Sequence, residues 1–135
     1  MVSIQIEYQG DLHCKATHGP SGAELTTDAP KDNQGRGESF SPTDLVATAL
    51  GTCLLTIMAI AARTLNIEFS GATATVEKEM TAEPPRRIQQ LAVRIHVPHA
   101  PSPADREKLE RAACACPVHK TLHPAIQIPI EFTWE

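Results

Sequence analysis

The chain has 135 residues, enough for one domain with a real core, since a chain near this size buries roughly two-thirds of its unfolded surface. Its 41% apolar and 21% charged residues are ordinary for a globular domain. A net charge of -4 and an aromatic content of 4% leave neither a basic patch for a phosphate backbone nor a stacking platform for single strands, so no nucleic-acid partner is expected.

The opening Met1-Val2-Ser3-Ile4-Gln5-Ile6 has no basic stretch ahead of an apolar run, so no signal peptide is expected. The expected compartment is the cytoplasm, where Cys14, Cys53, Cys114 and Cys116 read as catalytic, metal-binding or core residues rather than as a disulfide framework. Val2, Ile4, Ile6 and Tyr8 alternate with polar residues, the period of a half-buried strand. Gln9-Gly10-Asp11 turns the chain, and Leu12, Cys14 and Ala16 continue the alternation as the second arm of a hairpin. Cys14 is expected to face the core, with no catalytic role. A short third strand is expected over 23–27. Pro30, Gly35 and Gly37 among polar residues mark a loop from Asp28 to Phe40.

A helix starts next. Ser41 is the N-cap, Pro42 fits the first helical position and Asp44 sits where a capping carboxylate belongs. The helix is expected to run to about Leu65, roughly 35 Å at 1.5 Å per residue. From Leu45 to Ala62 it carries no charge, which puts it at the lower edge of a membrane span. Its threonines, Gly51 and Cys53 fit a buried central helix better, and no membrane partner is expected. Apolar residues nearly surround its axis, so it is expected to be buried all round, with help from a second subunit.

Two strands follow, over 73–77 and 88–97, with Leu91, Val93, Ile95 and Val97 on one side. Ser102, Pro103 and Asp105 repeat the capped start for a helix to about Ala113. Cys116-Pro117 begins a short helix through Leu122. Ile126, Ile128, Ile130, Phe132 and Trp134 share one face of a last strand, and Pro129 suggests that it lies at an edge. The order βββ-α-ββ-αα-β is that of a single α+β domain over 1–135, a mostly antiparallel sheet packed on a long central helix.

Three constellations carry chemistry. Cys53, in mid-helix, is either a small core hydrophobe or a reactive thiol. A helix midpoint offers no dipole help, so a reactive Cys53 needs a cation from elsewhere in the fold. Cys116 precedes a proline at a helix start, where unsatisfied N–H groups stabilise a thiolate, although a packed capping cysteine is the alternative. Cys114, Cys116, His119 and His123 have the ligand types of tetrahedral zinc, but Cys-x-Cys is tighter than the usual spacing and Pro117 intervenes. The charged runs at 77–79 and 105–108 read as solvated faces.

The segment Ser41-Pro42-Thr43-Asp44-Leu45-Val46-Ala47-Thr48-Ala49-Leu50-Gly51-Thr52-Cys53 resembles the central helix of the OsmC/Ohr family, which begins with a proline cap and reaches a cysteine after small residues. Cys116-Pro117-Val118 resembles the family's second cysteine motif. The two motifs stand roughly sixty residues apart in the expected elements, and the similarity covers nearly the whole chain. It implies an OsmC-like fold and an intertwined homodimer. It also implies thiol-dependent reduction of organic hydroperoxides, with no metal, flavin or haem. Cys53 would attack the peroxide, Cys116 would close a disulfide with it, and an external dithiol, of lipoyl type for example, would restore both. Active members pair the attacking thiolate with an arginine oriented by a glutamate. The glutamate position falls on Thr43 here. Asp44, nine residues before Cys53, lies half a turn away around the helix and looks like a cap. Arg36 is the candidate cation. The departure at Thr43 keeps open a redox-sensing or small-ligand-binding role, and a zinc module stands as the third alternative.

Overall fold

In the computed structural model, which describes residues 1–135, the elements follow the expected order, and the chain divides into two compact units, 1–46 and 47–135. The first unit holds strands β1 (Ile4–Gly10), β2 (His13–His18) and β3 (Glu24–Asp28) in an antiparallel sheet of that order. The hairpin turn falls on Asp11 and Leu12, one step later than the sequence suggests. Gly10 pairs with His13 across it, and Asp11 and Leu12 both take left-handed φ values, 52° and 64°. Such a two-residue turn matches the twist of its strands, and leucine is an unusual occupant. The loop after β3 carries one 3-10 turn, Lys31–Asn33. Gly35 is required there, because a Cβ would run into the Ala29 carbonyl oxygen.

The expected half-burial of β1 does not occur. Ile4, Ile6 and Tyr8 are 58%, 67% and 64% exposed, and no apolar residue of 1–46 is buried. The alternation is present, but its apolar residues stay exposed.

Helix α1 (Pro42–Thr64) begins on a reciprocal capping box. The Ser41 N–H donates to Asp44 Oδ2 at 2.9 Å, and the Asp44 N–H donates to Ser41 Oγ at 3.1 Å. It ends on Asn66, left-handed at φ 57°, with the Asn66 N–H bonded to Arg63 O (3.2 Å) and the Ile67 N–H to Ala62 O (2.8 Å). These two bonds are the Schellman closure that satisfies the last carbonyls. By length and composition α1 could cross a membrane. Its burial is one-sided: Ala47, Leu50, Gly51, Leu54, Met58 and Ala62 are buried, whereas Ala49 and Ile60 are exposed. The expected all-round burial is therefore not achieved within a single chain.

In the second unit, β4 (Thr73–Met80) pairs antiparallel with β5 (Ile88–Val97), and β5 pairs parallel with β6 (Ile130–Trp134). The expected mostly antiparallel sheet is thus realised as two three-stranded sheets, of which the second is mixed. The parallel pairing follows from the crossover through α2 (Pro103–Ala113) and α3 (Pro117–Thr121), since parallel neighbours need a long connection. β6 lies at the edge, as Pro129 suggested, and the ladder is interrupted between Gln127 and Ile130, where Pro129 has no N–H to give. Leu50, Leu54, Met58, Leu91, Val93, Ile95, Val97 and Leu109 form the fully buried core. Gly51 lets α1 approach β4, since a Cβ there would meet Val76 Cγ2 at 3.0 Å. The Trp134 indole N–H donates to Glu110 Oε1 at 3.0 Å, tying β6 to α2.

Removing the helix cap tests this account of α1. Ser41→Ala should cost about 1 kcal/mol. The urea midpoint should fall while the denaturant slope stays unchanged; an unaltered midpoint would show that the box does not hold the helix start.

Candidate active site

Two segments far apart in sequence bring their thiols together. Cys53 projects from the middle of α1 and is half-buried. Cys116 is the N-cap of α3, and its sulfur accepts the His119 N–H at 3.5 Å. It is fully buried. The two thiols are within hydrogen-bonding reach of each other, and both are free.

The capping position favours a thiolate on Cys116, but the balance goes the other way. Burial pushes its pKa above the ordinary value, and the hydrogen bond to Cys53 pushes it further. The N–H groups of His119 and Val118 oppose this without reversing it. The thiolate stabilisation expected at this helix start is therefore overturned by desolvation. Cys116 is held as a neutral thiol beside a cysteine that solvent can reach.

The remaining candidates divide clearly. Cys114 caps the end of α2 and is exposed. Cys14 is half-buried on β2, between Tyr8 and Thr27. Asp44 is engaged in the capping box, and the Thr43 hydroxyl lies 3.2 Å from Ser41 Oγ. Arg36 belongs to the first unit, where its exposed guanidinium lies 3.5 Å from Glu38 Oε1. Cys114, Cys116, His119 and His123 do not converge as a metal site: His123 Nδ1 accepts the Ala125 N–H at 3.0 Å, and no three of the four bring ligand atoms together.

One cluster has no counterpart in the sequence reading. His13, Asp28 and Glu38 come from β2, the end of β3 and the following loop, and their ligand atoms lie within 4.8 Å of one another. The Glu38 N–H bond holds the Asp28 carboxyl below its ordinary pKa against the opposing effect of burial, with further help from the His13 charge and the amide dipoles of Arg36 and Ala29. Strand pairing sets His13 opposite Asp28, a relation that no linear spacing reveals.

The sequence model of the OsmC-like protein family matches residues 35–131, and the chain belongs to that family. A Psychrobacter arcticus 273-4 protein, provisionally named an osmotic stress induced and detoxification response protein, is 42% identical, with a TM-score of 0.92 over 98% of this chain and 96% of its own. The organic hydroperoxide resistance protein OsmC of Legionella pneumophila shares the fold at 16% identity, with a TM-score of 0.79 over 98% and 96% of the two chains. A Vibrio cholerae protein, provisionally named for organic hydroperoxide resistance, carries captopril in one of its active sites; it is 20% identical, with a TM-score of 0.74 over 98% and 90%. No curated protein matches this sequence.

Two measurements check the thiol assignments. In native reduced protein, iodoacetamide should label Cys116 last, at least about tenfold more slowly than exposed Cys114; peptide mass mapping reads the order. The raised pKa of Cys116 also has a sign. Above the ordinary thiol value of 9.0, the unfolded chain has lost a proton that the folded chain keeps, so stability falls as pH rises through that window and is intact below it. Cys116→Ala should show a shallower alkaline decline than wild type in denaturant titrations. Equal slopes would contradict the assignment.

Proposed function

We propose that this protein is a thiol-dependent peroxidase for organic hydroperoxides, with Cys53 as attacking thiol, Cys116 as resolving thiol and Arg36 as the cation that supports the attacking thiolate. The carrying observation is the reach between the two thiols, one half-buried and one fully buried. Membership of the OsmC-like family and neighbours named for organic hydroperoxide resistance support a hydroperoxide-resistance role.

The chemistry divides the labour by accessibility. The Cys53 thiolate attacks a peroxide oxygen, the O–O bond breaks, and the organic fragment leaves as an alcohol after taking a proton. Cys53 is then a sulfenic acid. The neutral Cys116 thiol closes on that sulfur, water leaves, and a Cys53–Cys116 disulfide forms. An external dithiol, of lipoyl type for example, reduces it by exchange and is itself oxidised. The two thiols supply both electrons, so the cycle requires no metal, flavin or haem. Burial suits Cys116 to resolution, because a hidden neutral thiol is a poor first target for peroxide.

The proposed working form is a cytoplasmic homodimer. The uncovered faces of β1 and α1, including Ile4, Ile6, Tyr8 and Ile60, support a second copy as their cover. Thr43, at the position where the family carries its glutamate, favours the alternative of redox sensing or small-ligand binding by the same thiols.

Stopped-flow consumption of cumene hydroperoxide with dihydrolipoamide separates these readings. Wild type should turn over rapidly, Cys53→Ser should be inactive, and Cys116→Ser should leave a sulfenic acid trappable by dimedone. One equivalent of peroxide should remove two titratable thiols per chain. Arg36→Gln should slow the peroxide step by about tenfold or more. Slow turnover that is indifferent to Cys53→Ser would overturn the peroxidase and favour the alternative.

A further inference from the structure

The His13–Asp28–Glu38 cluster lies in the first unit and contains neither proposed working thiol; its Glu38 also faces Arg36 at 3.5 Å. His13 Nδ1 lies 2.7 Å from the Asp11 carbonyl oxygen. A carbonyl can only accept, so Nδ1 carries the proton. The other ring nitrogen, Nε2, then faces Asp28 Oδ2 at 3.6 Å and Glu38 Oε1 at 3.8 Å. A neutral imidazole would aim a bare lone pair at two carboxylates. Something positive must stand between them, either a second proton on the ring or a cation.

Two further features favour a cation. Asp28 is 1% exposed, and its Oδ1 is buried with no hydrogen-bond partner, while its Oδ2 takes the Glu38 N–H. A buried carboxylate oxygen without a donor is costly unless a positive centre compensates it. The Nδ1–H to carbonyl bond is also the outer contact that ordinarily fixes the tautomer and ring orientation of a metal-ligating histidine.

We propose that His13 Nε2, Asp28 and Glu38 form a binding site for a divalent first-row transition ion, with water completing its coordination. The spacing fits. Bonds of roughly 2.0–2.2 Å in a tetrahedral shell put neighbouring ligand atoms roughly 3.3–3.6 Å apart, so distances of 3.6 and 3.8 Å need only a small contraction. One imidazole and two carboxylates suit zinc, cobalt or manganese better than calcium, which takes six or more oxygens. Arg36 lies 3.5 Å from the same Glu38 Oε1, so a bound ion would displace its guanidinium from that oxygen. The ion would fasten the 29–41 loop to the sheet by joining β2, the end of β3 and the loop.

Cobalt(II) is the direct probe, because its visible absorption reports ligand type. Full-length reduced protein should bind one equivalent, with bands of a nitrogen–oxygen site and no sulfur charge-transfer band, and the same ion should raise the melting temperature. His13→Ala and Glu38→Gln should each weaken binding by at least about tenfold. A variant with Cys53, Cys114 and Cys116 replaced by serine should bind as wild type does. No binding at millimolar ion, binding unchanged in His13→Ala, or a sulfur charge-transfer band lost in the serine variant would overturn the proposal. The first of these outcomes would assign the positive centre to an imidazolium.

Discussion

The thiol site depends on burying one sulfur without charging it. Cys116 sits at a helix start whose N–H groups favour an anion, yet it lies in a core where an anion is expensive. Desolvation wins, and the result is a neutral thiol against Cys53. The rest of the second unit maintains that balance. Pro117 fixes the start of α3, the His119 N–H holds the sulfur in place, and Gly51 allows the helix that carries Cys53 to lie close to β4. Under the proposed mechanism, a charged or exposed Cys116 would be competent for first attack and would blur the division of roles between the two cysteines.

The secondary structure was legible wherever local physics decides it. Ser41, Pro42 and Asp44 write a helix start that holds independently of tertiary context, and the structure contains both reciprocal bonds. Ser102 and Cys116 likewise cap the helices that follow them. The alternation at 91, 93, 95 and 97 settled which face of β5 is buried. What escaped the sequence was relational. The hairpin slipped by one residue because Gly10 was used to end a strand instead of sitting in the turn. The parallel partner of β5 could not be read from a strand pattern that is indifferent to direction. The cysteine pair was suggested only by family resemblance, since nothing in the residues around position 53 points to position 116. The His13–Asp28–Glu38 cluster left no trace, because its members are brought together by strand register and a loop.

The two units differ in what they can support alone. Residues 47–135 hold the apolar core, whereas 1–46 bury only polar residues, Asp28 and Ser41. A three-stranded sheet with no covered apolar face is marginal in water. The first unit therefore relies on polar ties, notably the Asp28–Glu38 bond and the Phe40 carbonyl taking the Asp28 N–H at 3.1 Å. Burial of a carboxylate is an unusual anchor for a loop, and it concentrates the order of the segment on a single residue.

The bond between Trp134 and Glu110 gives the molecule a built-in reporter. Trp134 is the only tryptophan in the chain, half-buried on the last strand and hydrogen-bonded to the helix that leads into Cys116. Indole emission responds to solvent and to hydrogen bonding at the ring nitrogen. The tryptophan emission of this protein therefore comes from one place, at the seam between β6 and α2, and unfastening of β6 can be followed optically, without any label attached to a cysteine.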